Sequence, residues 1–241
     1  KSYADWVINN YLSSPDPFVV EIGSNDGAMM ENFSKNNIRH LGVEPSENVA
    51  NEARKHGINT LCSFFNSTTA EKIASEYGLA DSLIAANVMC HISDLHGVVQ
   101  GANYLLKPMG VLVFEEPYLG EMVENTAYDQ IYDEHVYIFS ARSVKNIFKK
   151  YDFELIDVKP QLTHGGSMRY VLARNGKRPR SQNVEKQLAY EDSKGLHLKK
   201  TYELFRKRCC LQDTAPVRNC AEIIFITKIL LNNKSKNPQN N

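Results

Sequence analysis

The stretch Tyr128-Asp129-Gln130-Ile131-Tyr132-Asp133-Glu134-His135 packs titratable groups closely together. A histidine near its ordinary pKa can take a proton, and a phenol beside it can donate a hydrogen bond to an oxygen on which charge develops. Tyr132 and His135 stand three positions apart, so a helix over this stretch would place both on one face. Such a pair suits removal of a proton from a carbon next to a carbonyl. The plain alternative is a solvated helix face rich in carboxylates. A metal site built from Asp129, Asp133 and His135 is a further alternative.

A second chemical feature lies near the start of the chain, where Glu21-Ile22-Gly23-Ser24-Asn25-Asp26-Gly27 follows a short β-branched run. Glycines directly after a buried strand let the backbone approach a ligand and aim helix N-terminal amides at it. The spacing Glu-x-Gly-x-x-x-Gly puts Ser24 and Asn25 where the dinucleotide fingerprint needs a glycine to clear a pyrophosphate. A nucleoside ligand without a pyrophosphate fits better. Glu44, followed by Pro45, ends the next strand, where a carboxylate can accept both ribose hydroxyls. Asp26 either holds a ligand ammonium or caps the following helix. Phe64 either flanks an adenine or belongs to the core, and Asn87 ends a strand facing the crevice where such folds bind ligands.

The elements that must position these groups alternate. Strands are expected at residues 18–22, 41–44, 58–61, 81–86 and 111–114, with helical patterns at 29–36, 47–56, 69–77 and 95–106. A short helix at 3–12 precedes them. After the fifth strand come a helix near 143–150 and two strands, 154–158 and 168–173, joined by a short loop containing glycine. A closing hairpin is the ending of a class I methyltransferase sheet, whereas a dinucleotide dehydrogenase continues with another parallel crossover. The expected fold is therefore α/β: a Rossmann-like sheet of about seven strands with the last antiparallel, helices on both faces, and a C-terminal helical extension. S-adenosylmethionine is the expected cofactor. With it, the enolate formed by the Tyr132 and His135 chemistry would attack the methyl of a sulfonium, a reaction that needs no metal.

Three regions are expected. Residues 1–175 form the cofactor-binding domain, 176–211 a helical entry to a further domain with one long helix at 184–208, and 212–241 a divergent tail. That tail holds an apolar run at 223–231 and a polar end at 232–241 expected to be disordered. Basic and acidic residues balance at 28 each, so no overall field draws in nucleic acid or an anionic bilayer. No apolar run approaches the roughly 20 residues of a membrane span. The five cysteines form no CxxC pair, which points to free thiols. With no signal pattern or membrane span in this sequence a cytoplasmic setting is expected, the methyl-transfer reading makes a small-molecule substrate the expected partner, and no oligomeric state is assigned.

The ordered segments VEIGSNDG, GVEPSENVA, ANVMCHISDL, FEEPYL, YDQIYDEHVYIFS and HGGSMRYVLAR resemble the bacterial sugar C-methyltransferases, over residues 6–208. That resemblance implies methylation of carbon 3 of a nucleotide-linked 4-keto-deoxysugar, with His135 as base, Tyr132 as its partner and Glu134 in the same motif. It also implies that His91, Tyr118, His164 and Ser167 lie near the substrate. Family members usually carry a cysteine-rich zinc module and a second α/β domain, which are not seen in this sequence. The competing readings are O- or N-methylation of a related molecule, a non-catalytic cofactor-binding remnant, and a nicotinamide-dependent enzyme.

Overall fold

A computed structural model describes residues 2–212 of the 241. Seven strands form one sheet: β1 (Phe18–Ile22), β2 (Arg39–Glu44), β3 (Thr60–Cys62), β4 (Ala80–Ala86), β5 (Leu106–Pro117), β6 (Phe153–Gln161) and β7 (Ser167–Arg174), in the order β3-β2-β1-β4-β5-β7-β6. The first five pair in parallel, and β7 runs antiparallel to both β5 and β6. The expectation of a terminal antiparallel strand is met. The order reverses between β1 and β4, which opens a crevice at their carboxyl ends.

Alternating side chains serve two separate cores, as the two-residue period of a strand requires. Val20, Leu83, Leu112 and Leu172 face one layer with Phe114 and Phe148, while Val19, Ile84, Val113 and Val171 face the other with Phe33. Being covered on both sides explains why β1 is buried at every position and reads as a continuous apolar run. The helices are α1 (Ser2–Tyr11), α2 (Met30–Lys35), α3 (Glu47–Lys55), α4 (Ser67–Tyr77), α5 (Leu95–Leu105), α6 (Leu119–Asn125), α7 (Ala141–Phe148), α8 (Gln182–Ser193) and α9 (Lys199–Gln212). Among the described residues no helix is long and apolar enough to cross a membrane.

The expectation of one long C-terminal helix fails. The single long helix at 184–208 is two helices, because Gly195 takes φ +63° and the amides of Gly195 and Leu196 turn back onto the carbonyls of Asp192 and Glu191. That left-handed residue closes α8 and redirects the chain. The apolar run at 223–231 and the tail at 232–241 lie outside the described residues.

Two buried carboxylates fasten elements that are distant in sequence. Glu191 on α8 is 1% exposed and accepts from the Ala141 and Arg142 amides at 2.7 and 3.0 Å, capping the start of α7. Glu115 on β5 accepts from Arg169 Nε and Nη2 on β7 at 3.0 and 2.7 Å, and from the Thr163 hydroxyl at 3.0 Å. The Arg169 guanidinium lies 4.0 Å from the Tyr3 ring centre and 4.8 Å from that of Trp6, so the same group seats α1 across the sheet. Removing one partner of a buried pair strands the other charge at a cost of about 3–5 kcal/mol. Arg169→Ala should therefore lower the unfolding free energy by about that amount in urea titrations; a loss below about 1 kcal/mol, the scale of an exposed pair, would contradict the clamp.

Candidate active site

The glycine loop leaves β1 through backbone that few residue types accept. Gly23 has φ +66°, Asn25 +50° and Gly27 +83°. A Cβ on Gly23 would stand 2.6 Å from Val88 Cγ2, so the glycine serves both the turn and the close approach of the β4 loop. Ser24 is packed against Gly42 of β2, and its hydroxyl is buried without a partner. The Asn25 side chain accepts from the Asp26 amide at 2.8 Å, and the Asp26 carboxylate accepts from the Ala28 amide at 3.2 Å. Asp26 thus uses one oxygen locally and remains exposed.

Glu44 takes a position that joins the loop to β2. Its two oxygens accept from the Asn25 amide at 3.0 Å and the Ser46 amide at 2.9 Å. A carboxylate has about four acceptor sites, so both ribose hydroxyls can still be received. Pro45 is exposed beside it, and Phe64 is 74% exposed. The exposure rules out a core role for Phe64 and leaves its ring available to a ligand. Glu21 is buried, and its Oε2 has no partner. Burial first, and then the charges of Asp26 and Glu44, hold its carboxyl well above the usual carboxylate range. Asn87 takes φ +53°, and its Oδ1 is buried without a partner. Such unpartnered polar atoms beside a crevice fit a polar nucleoside ligand, since buried polar groups otherwise find partners.

The second constellation sits at the same edge of the sheet. Residues 128–130 form one 3-10 turn, and the chain beyond it is not an α-helix. Tyr132 and His135 still meet, because the His135 amide closes a turn on the Tyr132 carbonyl at 2.9 Å. His135 Nδ1 lies 2.8 Å from the Gln130 carbonyl, which can only accept, so Nδ1 carries the hydrogen and Nε2 the lone pair. The Tyr132 hydroxyl donates to that Nε2 at 2.9 Å. Burial, supported by the neighbouring His91 and His164, lowers the His135 pKa from its ordinary 6.5, against the raising effect of the Gln130 carbonyl and Glu134. Tyr132 is shifted up, so its hydroxyl stays a donor.

His91 closes on the same group. Its Nδ1 donates to the Glu134 carbonyl at 2.8 Å, and its ring centre is 4.9 Å from that of His135. The Glu134 side chain is exposed; its backbone, not its carboxylate, carries this contact. His164, at φ +52° in the β6–β7 loop, accepts from Asn87 Nδ2 at 3.1 Å and so draws that loop over the β4 end. Tyr118 and Ser167 make their hydrogen bonds to other partners than the Tyr132–His135 pair. The Tyr118 hydroxyl donates to Glu191 at 3.2 Å and accepts from Gln187 at 2.7 Å, and Ser167 donates to the Thr163 carbonyl at 3.1 Å. Both line a separate cavity of about 450 Å³ bounded by Gln161, Gly166 and Tyr190.

Sequence reasoning missed Glu116. It is fully buried at the end of β5, and its Oε1 accepts from the Val88 and Met89 amides at 2.9 and 2.7 Å. Burial raises its pKa, opposed by the Cys90 thiol, the two amides and His91. The signal was the paired acid of FEEPYL at the end of a strand covered on both faces, where adjacent carboxylates point into opposite buried layers.

The sheet order, the glycine turn and the Glu44 carboxylate define a class I S-adenosylmethionine-dependent methyltransferase. Residues 4–158 match the family described as methyltransferase domain, and the chain belongs to that family. Residues 162–215 match the C-methyltransferase C-terminal domain. The C-methyltransferase NovU of Streptomyces niveus is 37% identical over 150 residues, which cover 62% of this chain and 36% of that relative. The chain thus spans little more than a third of the length of this curated relative. A methyltransferase from Anabaena variabilis has a TM-score of 0.56 at 18% identity, over 72% of this chain and 84% of that one. Magnesium protoporphyrin IX methyltransferase of Synechocystis, solved with bound SAH, has a TM-score of 0.53 at 15% identity, over 72% and 80%.

Two outcomes test the site. Gly23→Ala, which adds a Cβ both at φ +66° and 2.6 Å from Val88, should abolish S-adenosylmethionine binding in isothermal titration; unaltered affinity would contradict the close approach. Glu116→Ala leaves two buried amides unpaired, at about 1–3 kcal/mol each, and should lower stability accordingly. Glu116→Gln, which keeps an acceptor oxygen, should lose much less in the same urea titration.

Proposed function

We propose that this chain methylates a carbon next to the ketone of a nucleotide-linked 4-keto-deoxysugar, with His135 as the general base. The observation that carries the reading is the Tyr132–His135–Gln130 chain of hydrogen bonds. The Gln130 carbonyl fixes the tautomer, so the Nε2 lone pair faces away from the backbone. His135 then takes the proton from the carbon, the electron pair of the broken C–H bond moves into the enolate, and the Tyr132 hydroxyl is free to turn to the developing oxyanion. When bound, S-adenosylmethionine supplies an electrophilic methyl for that carbon. Glu44, Asn87, Asp26, Gly23, Ser24, Asn25, Gly27, Glu21, Pro45 and Phe64 are the residues that would hold it. Burial, aided by the nearby His91 and His164, makes protonation of His135 harder, which favours the basic form. Support for a carbon acceptor comes from the match to a C-methyltransferase C-terminal domain and the likeness to NovU.

His135→Ala should leave S-adenosylmethionine affinity unchanged and reduce methyl transfer by about 10²-fold or more, the scale of a lost general base. Unchanged turnover, or a new methyl found by NMR on oxygen or nitrogen, would overturn the reading. The pH dependence has a fixed sign. A depressed His135 pKa keeps the base competent as pH falls through 6.5, so the acidic limb of kcat/KM should lie below that value. Protonating this buried ring also opposes folding, so stability should begin to fall as pH drops through about 6.5, the unfolded histidine value.

A further inference from the structure

The proposed chemistry leaves one group of the cluster unused, the Cys90 thiol. Cys90 Sγ and one ring nitrogen each of His91 and His135 all lie within 4.8 Å of one another. Two imidazoles and a thiol are the donor set of borderline-soft divalent cations, whereas Mg²⁺ and Ca²⁺ take oxygen. Zn–N and Zn–S bonds of about 2.0–2.3 Å in a tetrahedron place ligand atoms about 3.5 Å apart, so the cluster must contract by about 1 Å. His91, exposed on a three-residue 3-10 turn, can supply that movement.

Both His91 and His135 turn Nδ1 to a backbone carbonyl, Glu134 and Gln130 respectively, which leaves Nε2 as the nitrogen for a metal; at His135 the Tyr132 hydroxyl, 2.9 Å away, must leave that nitrogen first. Metal-binding histidines are held this way by a second hydrogen bond that fixes the tautomer. Glu116 lies against Cys90, and burial together with that carboxyl pushes the thiol pKa up, so a bound cation has to displace the thiol proton.

We propose that Cys90, His91 and His135 form a three-ligand site for a cation of the Zn²⁺ class, with the fourth position open to water, and that its occupation silences the base. On binding, the Cys90 S–H bond breaks, a sulfur–metal bond forms, and the proton passes to solvent; nothing is oxidised or reduced. The His135 Nε2 lone pair goes to the metal and is withdrawn from proton abstraction, while the Tyr132 hydroxyl is released. The silencing half of this inference rests on His135 being the base. The binding half does not.

Co²⁺, the spectroscopic substitute for Zn²⁺, tests the binding half on the full chain. One equivalent should produce a thiolate-to-cobalt charge-transfer band with the visible bands of a tetrahedral ion. Cys90→Ala and Cys90→Ser should both lose that band and weaken Zn²⁺ binding more than about tenfold, the scale on which even outer-shell partners act. Cys62→Ala, which alters an exposed thiol, should keep the band. Retained S-adenosylmethionine binding shows that each variant is folded. Absence of the band in the unaltered chain, or its full retention in both Cys90 variants, would overturn the site. Zn²⁺ should in addition stop methyl transfer reversibly, with activity restored by EDTA, and full activity at saturating Zn²⁺ would overturn the silencing. A Cys90-dependent cobalt band stands even if no sugar is turned over, so failure of the metal site and failure of the base reading are told apart.

Discussion

The site depends on a carboxyl group that never reaches solvent. Glu116 ends the central strand β5 and accepts from two successive amides of the turn after β4. That turn carries four side chains with different tasks. Asn87 reaches the β6–β7 loop through His164, Val88 packs on Gly23 of the cofactor loop, Cys90 contacts Glu116 itself, and His91 holds the carbonyl of Glu134. The Cys90 carbonyl also accepts from the Tyr137 amide at 3.2 Å, just past His135. One buried acceptor therefore fixes the spacing between the glycine loop and the Tyr132–His135 pair. Positioning of this kind governs rate, since reacting groups must be held close and aligned.

The edge around Glu116 is made of unfavourable backbone. Asn25, Asn87 and His164 all sit at φ between +50° and +53°, where a side chain costs about 1 kcal/mol or more. Two of the three are asparagines, the residue type that tolerates this region best. The cost is borne where loops from β1, β4 and β6 converge, and the two asparagines turn their backbone into local contacts. Asn25 donates its amide to Glu44, and Asn87 donates its amide to the Glu115 carbonyl at 2.9 Å. Strain thus ties the crevice to β2 and β5.

Much of this was legible in the sequence, and the physical reason differs by residue. The strands and the closing hairpin were visible because a sheet covered on both faces demands β-branched runs of limited length. The cofactor loop was visible because Gly23 and Gly27 occupy backbone that other residues resist. The Tyr132–His135 pair was found by its spacing, although the assumed helix is absent; a turn and a helix bring residues three apart together equally well. The break between α8 and α9 was hidden because polar helical patterning continues across it and Gly195 alone marks it. Glu116, Glu191 and the Glu115–Arg169 clamp were not found, since their partners lie 27 to 54 positions away and no local period reports them. Tyr118 entered through the family resemblance alone, and the bonds that α8 makes to its hydroxyl through Glu191 and Gln187 come from 73 and 69 positions along the chain.

The central claim is that a neutral histidine, fixed by a backbone carbonyl, removes a proton from carbon at the mouth of the cofactor crevice. It is tested most directly by incubating the chain with a nucleotide-linked 4-keto-deoxysugar in deuterium oxide, with S-adenosylhomocysteine in place of the methyl donor, and following the carbon beside the ketone by NMR. The account predicts that deuterium enters that carbon faster than in the protein-free control and that His135→Gln abolishes the gain. Methyl transfer to the sugar with no deuterium exchange above the control, or exchange that persists in His135→Gln, would contradict it.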